Sequence, residues 1–212
     1  MSKNFKYLND LIHSGAKEIL LDSDIVLSDD KISDNPYTIK LDVNGLVIDG
    51  NGYAINGREK TCAILCTGEN ITIKNISIKN IKFENPLMKR GMWSAINNCG
   101  GELTITDSIF TDNYGFGGAI YNEGVLIINN CKFTNNMAGR VGGAIQNEEG
   151  LIFINDSIFT NNEAIHEGGA LYSPRGVLRV RRSEFNNFLW LSGYNSYDNT
   201  ILLCVCKIVN KY

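Results

Sequence analysis

Breaking a glycosidic bond takes a fixed pair of carboxyl groups, one donating a proton while the other acts as base or nucleophile. Asp107 and Asp156 are the candidates here, since they hold the same place in two related nine-residue segments; two further segments carry Asn130 and Arg182 there. An Asp, Asn, Asp, Arg series at a strand end reads more simply as solvated turn chemistry. The chain has two histidines, and His166 stands just before Gly168, in a corner open to water rather than in the place of a general base. Arg175, Arg179, Arg181 and Arg182 are four of seven arginines and fall in one turn and strand. A lyase could use an arginine base beside calcium-binding carboxylates, but the neighbouring segments supply no acidic cluster for calcium. A strand edge charged against further pairing is the plainer reading. Cys204-Val-Cys206 offers two sulfurs with no nearby His or Cys to complete a metal site. No catalytic residue, metal ligand or cofactor is therefore expected.

Binding is the alternative to catalysis. If Ile120, Ile145 and Leu171 point inward, strand alternation turns Tyr121, Gln146 and Tyr172 outward on one sheet, spaced by ~4.8 Å per strand. Glu123, Glu148 and Arg175 border them. Such an aromatic and amide ribbon suits a glycan or a protein surface, although ordinary β-propensity accounts for the same residues.

The elements that hold these residues come from an internal repeat. ELTITDSIF (102–110), VLIINNCKF (125–133), LIFINDSIF (151–159) and VLRVRRSEF (177–185) align without a gap, and their closing phenylalanines lie 23, 26 and 26 residues apart. Leu103, Leu126, Ile152 and Leu178 followed two residues on by Ile105, Ile128, Ile154 and Val180 give the period of two that marks strands. Three residues past the Phe come Asn113, Asn136 and Asn162, then GGAI, GGAI and GGAL beginning at Gly117, Gly142 and Gly168. A unit of ~25 residues loses about 25–50 kcal/mol of backbone entropy on ordering, whereas a handful of inward side chains returns only about 10–15 kcal/mol. The units must stack. With no helix inside the repeat, the stack is a single all-β solenoid, a parallel β-helix of about five or six coils. Recurring Asn forms a corner with left-handed backbone and an amide ladder, and Gly supplies corners other residues cannot adopt.

Degenerate copies precede these coils in NITIKNISI (70–78), WSAI (93–96) and TCAI (61–64), with KFENPLMKRGM (82–92) as a protruding loop and GLVIDGNGYAING (45–57) as strand, turn, strand. Residues 1–15 place Phe5, Leu8, Leu11 and Ile12 on one helical face ahead of Gly15, which predicts an amphipathic capping helix. Residues 16–187 are the repeats. Residues 188–212 lose the register, with Phe188 where Asn is due, and end in the apolar ILLCVCKIV (201–209), an irregular cap or a tail left by truncation. An uncovered end would permit end-to-end self-association.

Composition agrees with a folded chain: 27 Asn, 26 Ile and 21 Gly stand beside a hydrophobic fraction of 43% and a net charge of -3. That charge gives no field for nucleic acid. No apolar run reaches the ~18 residues of a membrane span, and the first residues lack the pattern of an export signal. The six cysteines follow no disulfide framework.

The alternation of GGAI with FTDN (110–113), FTNN (133–136) and FTNN (159–162) resembles the chlamydial polymorphic outer membrane protein repeat. With LVIDGNGYAING upstream, the wider pattern is similar to the right-handed parallel β-helix adhesin-like proteins of methanogenic archaea. The resemblance covers roughly residues 15–187 and implies a right-handed β-helix in cell-surface adhesion, contacting a glycan or a cell-surface protein. The rival is a polysaccharide lyase or hydrolase, since parallel β-helices also carry pectin-degrading enzymes. The clustered NxD, DD and HG motifs of polygalacturonase-like enzymes do not assemble here on adjacent coils.

Overall fold

The computed structural model describes residues 2–27, 37–60, 63–82, 94–186, 201–204 and 207–208. Each nine-residue segment folds as two strands meeting at a corner. In the second segment these are Val125–Asn129 and Lys132–Thr134, and Asn130 between them has φ 51°. The same left-handed break falls at Asp107 (52°), Asp156 (52°) and Arg182 (45°). A second one follows the phenylalanine at Asp112, Asn135 and Asn161. Asn and Asp adopt this region more readily than other residues with a side chain, which accounts for much of the Asn excess.

The left-handed corner lies one residue before the Asn column in which the sequence places it. Asn113, Asn136 and Asn162 are instead turned inward and fully buried, and their amides form the expected ladder, each Nδ2 donating to the next Oδ1 at 2.9 Å. A second buried ladder runs through Asn98, Asn122 and Asn147 to Ser173, at 2.7, 2.8 and 3.0 Å. Both pair polar groups where water cannot reach, although Asn98 Oδ1, at the start of the second, has no hydrogen-bond partner.

Every strand pairing is parallel, and among the described residues the strands form sheets of nine, eight, six and three members. Six coils place a strand in each of the three large sheets. The first is Tyr37–Leu41, Val47–Asp49 and Ala54–Lys60; the last is Leu171–Tyr172, Val177–Arg181 and Glu184–Asn186. The molecule is thus the single parallel β-helix expected. Register along the eight-stranded sheet is unbroken, with Leu103, Leu126, Ile152 and Leu178 in one line. Inside the nine-stranded sheet Phe110, Phe133, Phe159 and Phe185 stack with ring centroids 4.7, 4.7 and 4.5 Å apart.

The glycine column has a steric cause. Gly118 has φ 69°, and a Cβ there would lie 2.1 Å from the carbonyl oxygen of Gly143. Successive coils meet backbone to backbone, and no side chain fits between them.

A helix, Phe5–Ile12, covers the first coil with Phe5, Leu8 and Ile12 buried, and the Asn4 side chain caps it by accepting from Tyr7 N at 2.8 Å. At the other end Ile201–Cys204 pairs in parallel with Val177–Arg181, and Lys207–Ile208 with Glu184–Asn186. The apolar C-terminal segment therefore continues the solenoid rather than folding back across it. Asn51 and Gly52 have the positive φ expected of the turn in residues 45–57, but its strands Val47–Asp49 and Ala54–Lys60 belong to different sheets. The predicted loop beyond Lys82 and Phe188 lie outside the described residues.

Candidate functional site

The four predicted binding residues do not share an exposed face. Tyr121 is 4% exposed and Gln146 1%, while Tyr172 is half-buried. Alternation does turn them away from the solenoid axis. The glycine-rich segment before each six-stranded-sheet strand then returns across that side. Gly117 lies so close to Gln146 that a Cβ on it would be 2.5 Å from Oε1, and a Cβ on Gly168 would be 3.0 Å from that of Tyr172. The polar tips are bound to the bordering acids, Tyr121 Oη donating to Glu123 at 2.6 Å and Gln146 Nε2 to Glu148 at 2.5 Å. Burial, reinforced by Glu123, pushes the Tyr121 phenol far above its ordinary range. Burial also raises that of Tyr172. Arg175 is exposed at a corner and paired with Glu149 at 3.0 Å.

The two candidate carboxylates are corner residues. Asp107 accepts from Asn130 Nδ2 at 2.6 Å. Asp156 accepts from both Nε and Nη2 of Arg182, each at 2.6 Å. Hydrogen bonding to that guanidinium holds the Asp156 carboxyl below the usual carboxylate range. A general acid needs the opposite shift. His166 N donates to Arg140 O at 2.9 Å in a corner, and its side chain is open to water. Burial pushes the Cys66 thiol up to about 12 and the Cys131 thiol up to about 11, so both serve as small interior side chains. The side chains of Cys204 and Cys206 lie outside the described residues.

A surface that alternation alone underrates is the outer side of the eight-stranded sheet. Its outward columns, read along the axis, are Glu102, Val125, Leu151 and Val177, then Thr104, Ile127, Phe153 and Arg179, then Thr106, Asn129, Asn155 and Arg181. Val125, Ile127, Phe153 and Val177 are partly open and Leu151 is 39% exposed, which makes a contiguous apolar patch on a flat sheet. Asn155 Nδ2 donates to Asn129 Oδ1 at 2.8 Å along its edge. The Arg179 guanidinium lies 5.6 Å from the Phe153 ring centroid, and Arg179 and Arg181 are both exposed. The signal was present in the sequence: VLIIN and LIFIN are apolar at their first and third positions as well as their second and fourth.

A parallel β-helix with laddered Phe and Asn columns and an open sheet face defines the class of protein. Residues 130–148 and 156–174 match the Chlamydia polymorphic membrane protein repeat. Each matched stretch runs from a left-handed corner through the Phe and Asn ladders and the glycine column into the six-stranded-sheet strand. The repeat therefore describes most of one turn of this solenoid, without its eight-stranded-sheet strand. No curated protein sequence and no solved structure gave a match.

Proposed function

We propose that this protein is a non-enzymatic, adhesin-like recognition module that engages a glycan or protein partner at a cell surface through the open side of its eight-stranded sheet. The observation that carries the reading is the patch of Val125, Ile127, Leu151, Phe153 and Val177 facing solvent on a rigid, fully registered sheet. Apolar side chains gathered on one face and rimmed by polar groups offer a place of contact, and the registered backbone holds their spacing before the partner arrives, which lowers the cost of binding. The polymorphic membrane protein repeat supports a surface role. No helix among the described residues is long and apolar enough to cross a membrane.

Glycan and cell-binding arrays probed with the wild type and with Phe153→Ala and Ile127→Ser test this reading. Captured ligands should be lost in both variants while thermal unfolding stays nearly unchanged. Binding indifferent to both substitutions would overturn the assignment. The enzymatic alternative is tested on pectin, uronate and neutral glycans with calcium; products that vanish in Asp107→Ala or Asp156→Ala would replace recognition with catalysis.

A further inference from the structure

We infer that the ligand of this face is an anionic oligosaccharide, carboxylated or sulfated, lying along the solenoid axis from the Val125–Asn129 strand to the Val177–Arg181 strand; the inference rests on the surface reading above and names its ligand. Size comes first. Three strands ~4.8 Å apart and five residues long span roughly 15 Å by 15 Å, on the order of 200–300 Å². A stable protein partner needs about 800 Å² on each side. A patch this small is filled by a few sugar rings, and a pyranose is about as long as one coil is high.

The columns match such a chain. The middle column, Ile127 and Phe153, gives an apolar floor for the C–H face of a sugar. Beside it Asn129 and Asn155 supply amides for hydroxyl groups. Charge then selects among glycans. Of the four clustered arginines, Arg175 is paired with Glu149 and Arg182 with Asp156, which neutralises two. Arg179 and Arg181 form no such ion pair and are exposed on one strand and on one side of it, Arg181 within the field of Asp156 and Arg179 above Phe153. Guanidinium groups bind carboxylate and sulfate through paired, charge-assisted hydrogen bonds. Glu102, half-buried at the far end of the first column, limits the anionic site to the three strands named.

Fluorescence anisotropy of labelled hexagalacturonate, its fully methyl-esterified form, a heparin oligosaccharide and polyglutamate, with EDTA present, tests this on the full chain. Hexagalacturonate or the heparin oligosaccharide should bind. Hexagalacturonate should bind at least ~10-fold better than its ester, and the better acidic ligand should be weakened ~10-fold by Arg179→Gln with Arg181→Gln, as expected for charge-assisted hydrogen bonds. Phe153→Ala should weaken it as well. Arg175→Gln should change it less than ~2-fold, as expected for an exposed arginine already in an ion pair. Equal binding of ester and acid, or polyglutamate binding as well as the acidic sugars, would overturn the proposal. If neither acidic sugar binds while array ligands still depend on Phe153, the anionic assignment fails and the surface reading stands. If no ligand depends on Phe153 or Ile127, both fail.

Discussion

The outer sides of the six-stranded and the eight-stranded sheets come from the same repeat and obey the same alternation, yet one is covered and the other open. Tyr121 and Gln146, the residues with polar tips, are buried. Ile127, Leu151 and Phe153, which are wholly apolar, reach solvent. The difference lies in the chain that precedes each strand. Glycines at 117–118 and 142–143 permit a backbone return over the six-stranded sheet, while the eight-stranded sheet is entered by a short corner with nothing to spare for cover. Side-chain polarity in a solenoid is thus a poor guide to exposure, and the path of the neighbouring backbone decides it.

The interior that the three large sheets enclose sets the scale for breaking this contrast. Phe133 is sandwiched between Phe110 and Phe159 and fully buried, so Phe133→Ala should cost about 3–5 kcal/mol through lost burial and a cavity. Thr134→Ala, beside it on the outward side, should cost less than ~0.5 kcal/mol. Denaturant unfolding of both variants checks the stack, and equal small effects would dismantle it.

Removing the cover is the next largest change. At Gly118 an alanine meets both a positive φ and a carbonyl oxygen 2.1 Å from its Cβ. Gly118→Ala should destabilise by on the order of 3 kcal/mol and raise hydrogen exchange first in residues 114–122. Unfolding at the wild-type midpoint would mean that the coils are not in backbone contact there.

The contrast itself is tested by a matched pair of truncations. Tyr121→Ala removes a buried ring, at a cost of about 2–3 kcal/mol. Phe153→Ala, on the open side, should cost less than ~1 kcal/mol. Thermal unfolding that ranks the two in the opposite order would invert the assignment of covered and open sides.

The fold was legible because interior positions repeat. The positions of Leu126, Ile128 and Phe133 are apolar in every unit, and a solenoid repeats its core at the same period as its sequence. The site was legible only in part. Alternation separates inside from outside at Tyr121 but says nothing about a second layer of backbone, and Gly117 has no side chain with which to announce that it lies against Gln146. Arg175 lies in the predicted turn, but its ion pair with Glu149 requires knowing that residues 26 apart stack at one corner. Asp107 and Asp156 could be read as turn chemistry beforehand, because Asp and Asn at one place in a repeat point to left-handed backbone. The open face escaped because apolar residues at odd positions resemble strand propensity when no neighbour is seen.

Cover also operates at the N-terminal end, where a helix rather than a glycine segment closes the first coil, and here the effect is smallest. His13 ends that helix, its Nδ1 2.6 Å from Asn9 O and its Nε2 2.8 Å from Asp42 Oδ1. The helix-terminal carbonyl, and after it the Asp42 carboxylate, raise the His13 pKa above its ordinary value, because only the imidazolium can donate to both. A pKa raised on folding contributes stability that is fully present below the unfolded value of about 6.5 and is lost as pH climbs through the folded value. Melting temperature should therefore fall slightly as pH rises from about 6 to 8, by an amount fitting an exposed ion pair of ~0.2–1 kcal/mol. In His13→Asn that slope should vanish, and the variant should match the wild type most closely at the upper pH. A wild-type slope of opposite sign, or one retained in His13→Asn, would place the pH-sensitive contact elsewhere and leave the helix held by Phe5, Leu8 and Ile12 and by pH-independent hydrogen bonds such as that of Lys40 N to Asn9 Oδ1.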